Sequence, residues 1–385
     1  MAPPAPARME ETARPLLRTA ALGAVLLICA GLLDAEPLYV AGAAFMALAV
    51  GAALWVVAGS RGVRATRTVG VTRAMEEQAV PVEILVSSPR PLPTGGVLDA
   101  LLPKPAPLAT GRRSTHVRID VRFARRGRKV LSPPRVAVRD PFGLMVRIAR
   151  GPAIAADEVL ILPRIEPVMA PGGGSDGSGA LTLGRRTSVA AEVELDGLRQ
   201  AREGTPASRI YWPSVAKRSG ELLERRLRAD SDTRPLVVLD PRAPIDEEDL
   251  DAAVRAAASL AVHLAGAGGC ALLIPGDRRP VALDPGLVGW SHVHARLALV
   301  DASGPPPLTG LAARRGPIVY VAARRLTRPP RALAHAPGGG RVLVVPGPIP
   351  NRRAAFTVAE CIGYELSEAR RAEPAAGAGT TGAAA

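Results

Sequence analysis

The chain has 385 residues, enough for two or three domains with ordinary hydrophobic cores, and a formal net charge of +14. Nearly all of its 49 basic residues are arginine, the only lysines being Lys104, Lys129 and Lys217, and aromatic residues make up 3%, too few rings for the stacking platforms of a single-strand nucleic-acid binder. Cys29, Cys270 and Cys361 lie far apart and no CxxC or Cys/His ligand spacing occurs, so neither a disulfide framework nor a zinc site is expected.

Residues 1–14 form a polar leader rich in Ala and Pro, which is read as cytoplasmic. Two apolar runs follow, 15–33 and 38–58, the first carrying only Arg18 and the second no charge. Each is close to the ~20 residues that span a bilayer. Asp34-Ala35-Glu36-Pro37 between them reads as a tight turn, so 15–58 is predicted to be a transmembrane hairpin. A cleavable signal peptide is the competing reading of the first run, but the second follows at once, as a stop-transfer segment does. Arg8, Arg14 and Arg18 precede the hairpin, Arg61, Arg64, Arg67 and Arg73 follow it, and the turn carries only acids. The positive-inside rule then puts both termini and the whole body after Ser60 in the cytoplasm, on a two-pass protein of the cell membrane.

From 63 to 168 the apolar pattern has a period of two, and a β-sandwich-like domain is expected. Strands are predicted at 80–86, 117–123, 135–138, 145–148 and 159–162. Arg125-Arg126-Gly127-Arg128 is expected to close a hairpin from the second of these onto Lys129-Val130-Leu131, and Asp140-Pro141-Phe142-Gly143-Leu144 has the punctuation of a turn. Residues 169–190, with PGGGSDGSGA, read as a Gly/Ser-rich linker. A phosphate-binding loop there would need Gly-Lys-Ser/Thr, and no lysine in the chain follows a glycine.

The segment 191–233 mixes Trp, Ser, Arg and spaced Gly in a pattern that fits neither a clean helix nor a clean strand. After it, 234–370 alternates strand and helix. A continuous apolar strand at 236–239 ends at Asp240, a helix capped by Asp246 runs over 250–264, and strands follow at 271–274, 317–321 and 341–345 with a helix at 287–299. The segment 354–366 suits strand or helix, and 371–385 is expected to be a disordered tail. Such alternation predicts an α/β unit, a mainly parallel sheet with helices on both faces, and ligands at the carboxyl ends of its strands, where Asp240 stands.

Taken together, the apolar hairpin, the β domain ending in Asp140–Leu144, the central segment and the strand ending in acid resemble the domain of unknown function 58 family over nearly the whole chain. The residues that carry the resemblance are Leu195-Asp196-Gly197-Leu198-Arg199, Gly204, Ser208-Arg209-Ile210, Trp212, Ala216-Lys217, Gly220 and Leu222. The resemblance implies a von Willebrand factor A-like, doubly wound C-terminal domain and partnership with a MoxR-type AAA+ ATPase acting on protein clients. It departs from the family at Thr205-Pro206, where an Asp pair is usual, and at Ala201 or Arg202, where an aromatic is usual. The metal site of a von Willebrand factor A fold needs Asp-x-Ser-x-Ser, and Asp240-Pro241-Arg242-Ala243-Pro244 keeps only the acid, so Asp240 is a weak metal candidate.

Arg199, Gly204, Arg209, Trp212, Ser214, Lys217 and Gly220 are the candidate interaction residues: the guanidinium forks suit carboxylates or carbonyls, and Trp212 suits a packing anchor or a contact hot spot. Ser214 lacks a nucleophile elbow and a recognisable base. His292 and His294 fall in a predicted helix, where i and i+2 do not share a face, which speaks against a metal pair. No catalytic residue and no cofactor is read from the sequence. The reading that follows is a membrane-anchored interaction or assembly protein. Alternatives are an enzyme with a site near Asp240 and Arg209, or a binder of anionic lipid or nucleic acid driven by charge.

Overall fold

The computed structural model describes residues 12–149, 157–170, 195–200, 223–227, 234–303, 311, 316–334 and 340–366. It divides into two compact units, Met1–Leu162 and Pro163–Ala385. Its class is the expected one in general terms: an apolar two-helix hairpin with β and α/β sheets.

The first unit opens with α1, Arg14–Leu33, and α2, Glu36–Ser60, both with a mean hydropathy of 2.2 and both long and apolar enough to cross a membrane. The expected four-residue turn contracts to Asp34 and Ala35, because Pro37 lies in the first turn of α2. There its missing N–H removes no hydrogen bond, and Glu36 faces the positive end of the helix dipole. The two helices cross at glycines: a Cβ on Gly42 would meet the Leu27 side chain at 2.7 Å, and one on Gly23 would meet the Gly42 carbonyl at 3.1 Å. Ala30 and Ala49 are also buried, while Leu22, Val25, Ile28, Val40, Val50 and Leu54 point outward. Small residues inside and large apolar ones outside is the pattern of helices that pack in lipid.

The strands of this unit are β1 Arg64–Val69, β2 Arg73–Met75, β3 Ala79–Ser87, β4 Gly95–Leu98, β5 Ala106–Pro107, β6 Ser114–Arg122, β7 Gly127–Leu131, β8 Arg135–Arg139, β9 Val146–Ala149 and β10 Asp157–Leu162. They form three sheets, in the orders β1-β3-β6, β2-β10-β7 and β5-β4-β8-β9. Alternation on β3 buries Val80, Val82, Ile84 and Val86, which share one core with Val97, Val136, Val138, Val159, Ile161 and Val56 of α2. The predicted hairpin of β6 with β7 does not form: β6 pairs with β3 and β7 with β10. The corner between them is held instead by a distant loop, since Glu77 N–H donates to the Phe123 carbonyl at 2.9 Å and Glu76 Oε1 accepts from Arg126 N–H at 2.9 Å.

Arg67 of β1 knots these sheets together. Its side chain is fully buried, and it donates to Asp99 at 2.8 Å, to Asp157 at 2.9 Å, and to the carbonyls of Leu131 and Ser132 at 2.8 and 3.0 Å. Sequence alone placed this arginine on the basic flank of the hairpin.

In the second unit β11, Leu195–Gln200, pairs antiparallel with β12, Leu223–Leu227, so the ends of the central segment are strands, which the sequence pattern did not show. The remaining elements are β13 Leu236–Asp240, α3 Glu247–Gly266, β14 Cys270–Leu273, β15 Val281–Leu283, α4 Trp290–Ala298, β16 Ile318–Ala322, α5 Arg331–Ala334, β17 Arg341–Pro346, β18 Phe356–Val358 and β19 Cys361–Glu365. The sheet runs β15-β14-β13-β16-β17-β19-β18. Its middle four strands are parallel, and β15, β19 and β18 complete it through antiparallel pairs. Asp246 caps α3 by accepting the Asp249 N–H at 2.8 Å. Among the described residues both long helices pack on one face, α3 and α4 sharing a core with Val237, Leu239, Val319 and Val321. Among the described residues the opposite face is covered by Leu311, Leu326 and Ile349 and by Leu333 of the four-residue α5, so the helical cover expected on both faces is short on this one. The connection from β16 to β17 contains Pro329-Pro330 and Gly338-Gly339-Gly340, and α5 in it has four residues.

Residues 163–170, which the sequence pattern assigns to the end of the β domain and the start of a linker, pack on this unit. Pro163 O accepts from His294 Nε2 at 2.7 Å, Glu166 N–H donates to Ser259 Oγ at 2.9 Å, Val168 joins the core, and Met169 bridges to Thr357.

Replacing Arg67 by Met leaves Asp99 buried without its partner and is expected to destabilise the first unit by ~3–5 kcal/mol. Arg118→Met, at a side chain 81% exposed on the outer face, should leave thermal unfolding of the purified protein unchanged.

Candidate functional site

From β13 the chain moves outward to β14 and β15, then returns to β16 on the other side of β13. The strand order therefore reverses at β13, and the carboxyl ends of β13 and β16 form the topological switch point where open α/β sheets bind ligands. The last residue of β13 is Asp240.

Asp240 is fully buried. Its Oδ1 accepts from Arg242 Nε at 2.7 Å and from the Arg242 amide at 3.2 Å, and its Oδ2 accepts from Arg242 Nη2 at 2.8 Å and from the Tyr320 hydroxyl at 2.5 Å. Burial alone would push this carboxyl up; the Arg242 fork, the Tyr320 hydroxyl and the Arg242 amide together outweigh it and hold it below the usual carboxylate value. Burial, followed by the hydrogen bond to Asp240 and then the Asp240 charge, pushes the Tyr320 phenol up, so it stays a donor at neutral pH. The loop reaches back two residues to make the fork, with Ala243 at φ 49°.

A divalent cation does not fit here. Both Asp240 oxygens are already engaged, the third and fifth positions of the loop are Arg242 and Pro244, and a guanidinium occupies the approach to the carboxylate. Among the described residues no group of three His, Cys, Asp or Glu side chains is arranged to hold a metal. The weak metal candidacy of Asp240 is thus replaced by an internal ion pair.

Around this closed centre the same edge is basic. The stretches that follow β16 and β17 carry exposed Arg325, Arg328, Arg352 and Arg353, and Arg278 and Arg279 are exposed after β14. Arg325 reaches Asp249, in the first turn of α3, at 3.4 Å. Asp249 Oδ2 in the first turn of α3, and Asp277 Oδ2 and Arg324 Nε on the stretches after β14 and β16, are buried and have no hydrogen-bond partner among the described residues. On the helical face Arg255, 4% exposed, is bracketed by Glu248 at 2.6 Å, Glu360 at 3.2 Å and Glu166 at 3.9 Å. That cluster ties the 163–170 strap to the turn between β18 and β19.

Of the sequence-predicted interaction residues, Arg199 lies on β11 opposite Glu224. Gly204, Arg209, Trp212, Ser214, Lys217 and Gly220 lie outside the described residues. His292 and His294 are both on α4, as the pattern places them: His292 is exposed, and His294 is buried against Trp290, ring centroids 4.9 Å apart. Burial pushes His294 below the usual histidine value, against a smaller opposing effect of the Pro163 carbonyl. Tyr320 escaped the sequence reading. Its signal was a hydroxyl inside the otherwise aliphatic strand Ile318-Val319-Tyr320-Val321-Ala322, since a buried phenol needs a partner.

No family model matches the chain, and no curated protein and no solved structure matches it at a significant level.

Arg242→Met should lower stability by ~2–4 kcal/mol, less than the loss for a fully buried pair because the Arg242 side chain is 35% exposed. Asp240 has a lowered folded-state value, so its contribution is complete above the unfolded carboxylate range near ~4 and disappears as pH falls through the folded value. Thermal melts of Asp240→Asn should therefore show a lower midpoint at neutral pH and a weaker decline on acidification than the wild type.

Proposed function

We propose that the chain is a membrane-anchored interaction protein whose hairpin crosses the bilayer twice and whose two folded units face the cytoplasm. The α/β unit is of von Willebrand factor A-like type in this reading, and the partner implied by the family resemblance is a MoxR-type AAA+ ATPase working on protein clients. One observation carries the preference for binding over catalysis: the acid at the switch point is neutralised by Arg242 and Tyr320 of the same chain, so it is neither a free base nor a metal ligand. What the edge offers outward is guanidinium groups, which suit carboxylates of a protein partner.

Co-purification from native membranes in mild detergent tests this. The wild type should retain an AAA+ ATPase, and Arg328→Glu combined with Arg352→Glu should lose it, with the thermal midpoint unchanged because both side chains are exposed. Recovery of no AAA+ ATPase with the wild type would contradict the partnership, and equal recovery with the charge-reversed variant would contradict the basic edge as the docking surface.

A further inference from the structure

The turn Asp140–Leu144 joins β8 to β9, and Asp140 braces it from within. That side chain is 1% exposed; its Oδ1 accepts from the Phe142 N–H at 2.9 Å and its Oδ2 from the Met145 N–H at 2.6 Å. Gly143 takes φ +71° and donates its N–H to the Asp140 carbonyl at 3.1 Å, which completes a rigid turn. A turn so braced has one conspicuous product. Phe142, one of four phenylalanines in the chain, stands 69% exposed at its tip and takes no part in the core.

The position of this tip is set by backbone hydrogen bonds to the start of the apolar hairpin. The Leu16 N–H donates to the Leu144 carbonyl at 3.2 Å, and Thr12 and Val146 exchange bonds of 3.1 and 3.3 Å. Phe142 therefore lies at the level of the first turn of α1, two residues from a carbonyl that the helix itself engages. Four exposed arginines lie on the two paired stretches: Arg14 and Arg18 on α1, Arg139 before the turn and Arg147 after it. An exposed ring flanked by cations at the mouth of a membrane helix matches the chemistry of the bilayer boundary, where rings enter the upper acyl region and guanidinium groups meet phosphates.

The geometry points to Phe142 as an interfacial anchor: the tip of the Asp140–Leu144 turn inserts into the headgroup and upper acyl region of an anionic bilayer and holds the β unit against the membrane surface. This inference rests on the membrane reading of α1 and α2. Its occupant is lipid, because the turn is joined by backbone bonds to the start of α1, which that reading places in lipid.

The test is nitroxide accessibility in the full chain, reconstituted in vesicles of phosphatidylcholine and phosphatidylglycerol, in a Cys29→Ala background. Cys270 and Cys361 are buried, and burial pushes their thiols up to about 12, so they do not compete for the label. A label at Phe142→Cys should be several-fold more accessible to oxygen than to a water-soluble nickel complex, at a depth of ~5–10 Å into the boundary. Val50→Cys, on an outward face of α2, serves as the reference for the hairpin. A lipid-exposed label at Val50 with a water-exposed or protein-buried label at Phe142 overturns the anchor alone; a water-exposed label at Val50 overturns the membrane reading and the anchor with it. Phe142→Trp in the same vesicles should add an emission component quenched by brominated lipid, and its absence would likewise count against insertion.

Discussion

Backbone hydrogen bonds between the start of α1 and the edge of β9 decide how the first unit is built. Peptide groups at the mouth of a helix are fixed in direction, and the exchange between Thr12 and Val146 with the bond from Leu16 to Leu144 joins the sheet edge directly to the start of the hairpin. The exit is equally tight. Val56 of α2 is fully buried in the β core, a Cβ on Gly59 would meet Pro93 at 3.1 Å, and only residues 61–63 separate α2 from β1. Three residues further on, Arg67 turns inward and collects two acids and two carbonyls from three other stretches. A flexible linker would let the β sheets move relative to the two apolar helices; these contacts join them instead.

The α/β unit obeys the same electrostatic rule in a different place. A carboxylate buried at the end of a strand must be matched or protonated. Asp240 is matched from within its own chain, by an arginine two residues ahead and a tyrosine on the neighbouring strand. The ion-binding chemistry available to an exposed acid at a switch point is thereby exchanged for a rigid, closed edge with arginines around it. Arg255 does comparable work on the helical face, where carboxylates from the strap, α3 and the β18–β19 turn converge on one guanidinium.

Features with a short sequence range were legible before the structure. Both apolar helices, the strand at β3, the Asp140–Leu144 turn, the Asp246 cap and the strand ending in Asp240 each follow from spacing over a few residues. What was not legible depends on partners far away. The β6–β7 corner is a change of sheet because Glu76, 50 residues earlier, takes the Arg126 amide. The β18–β19 hairpin turns on Ala359 and Glu360, both at positive φ, so the Gly or Asn that announces such a turn is missing. The Asp240 site depends on Tyr320, 80 residues downstream. Arg67 and Arg64 look alike in sequence, yet one is buried and the other exposed, because only one falls on the inward face of β1. The central segment supplied β11 and β12, and the candidate residues between them lie outside the described residues.

The most direct measurement is thiol accessibility across a sealed membrane, with Asp34→Cys in the helical turn and Ser303→Cys on the α/β unit, each in the Cys29→Ala background. In right-side-out vesicles an impermeant maleimide should modify Asp34→Cys at once and Ser303→Cys only after permeabilisation. Modification of Ser303→Cys in sealed vesicles, or protection of Asp34→Cys, would contradict a two-pass hairpin that carries its folded units on the cytoplasmic face.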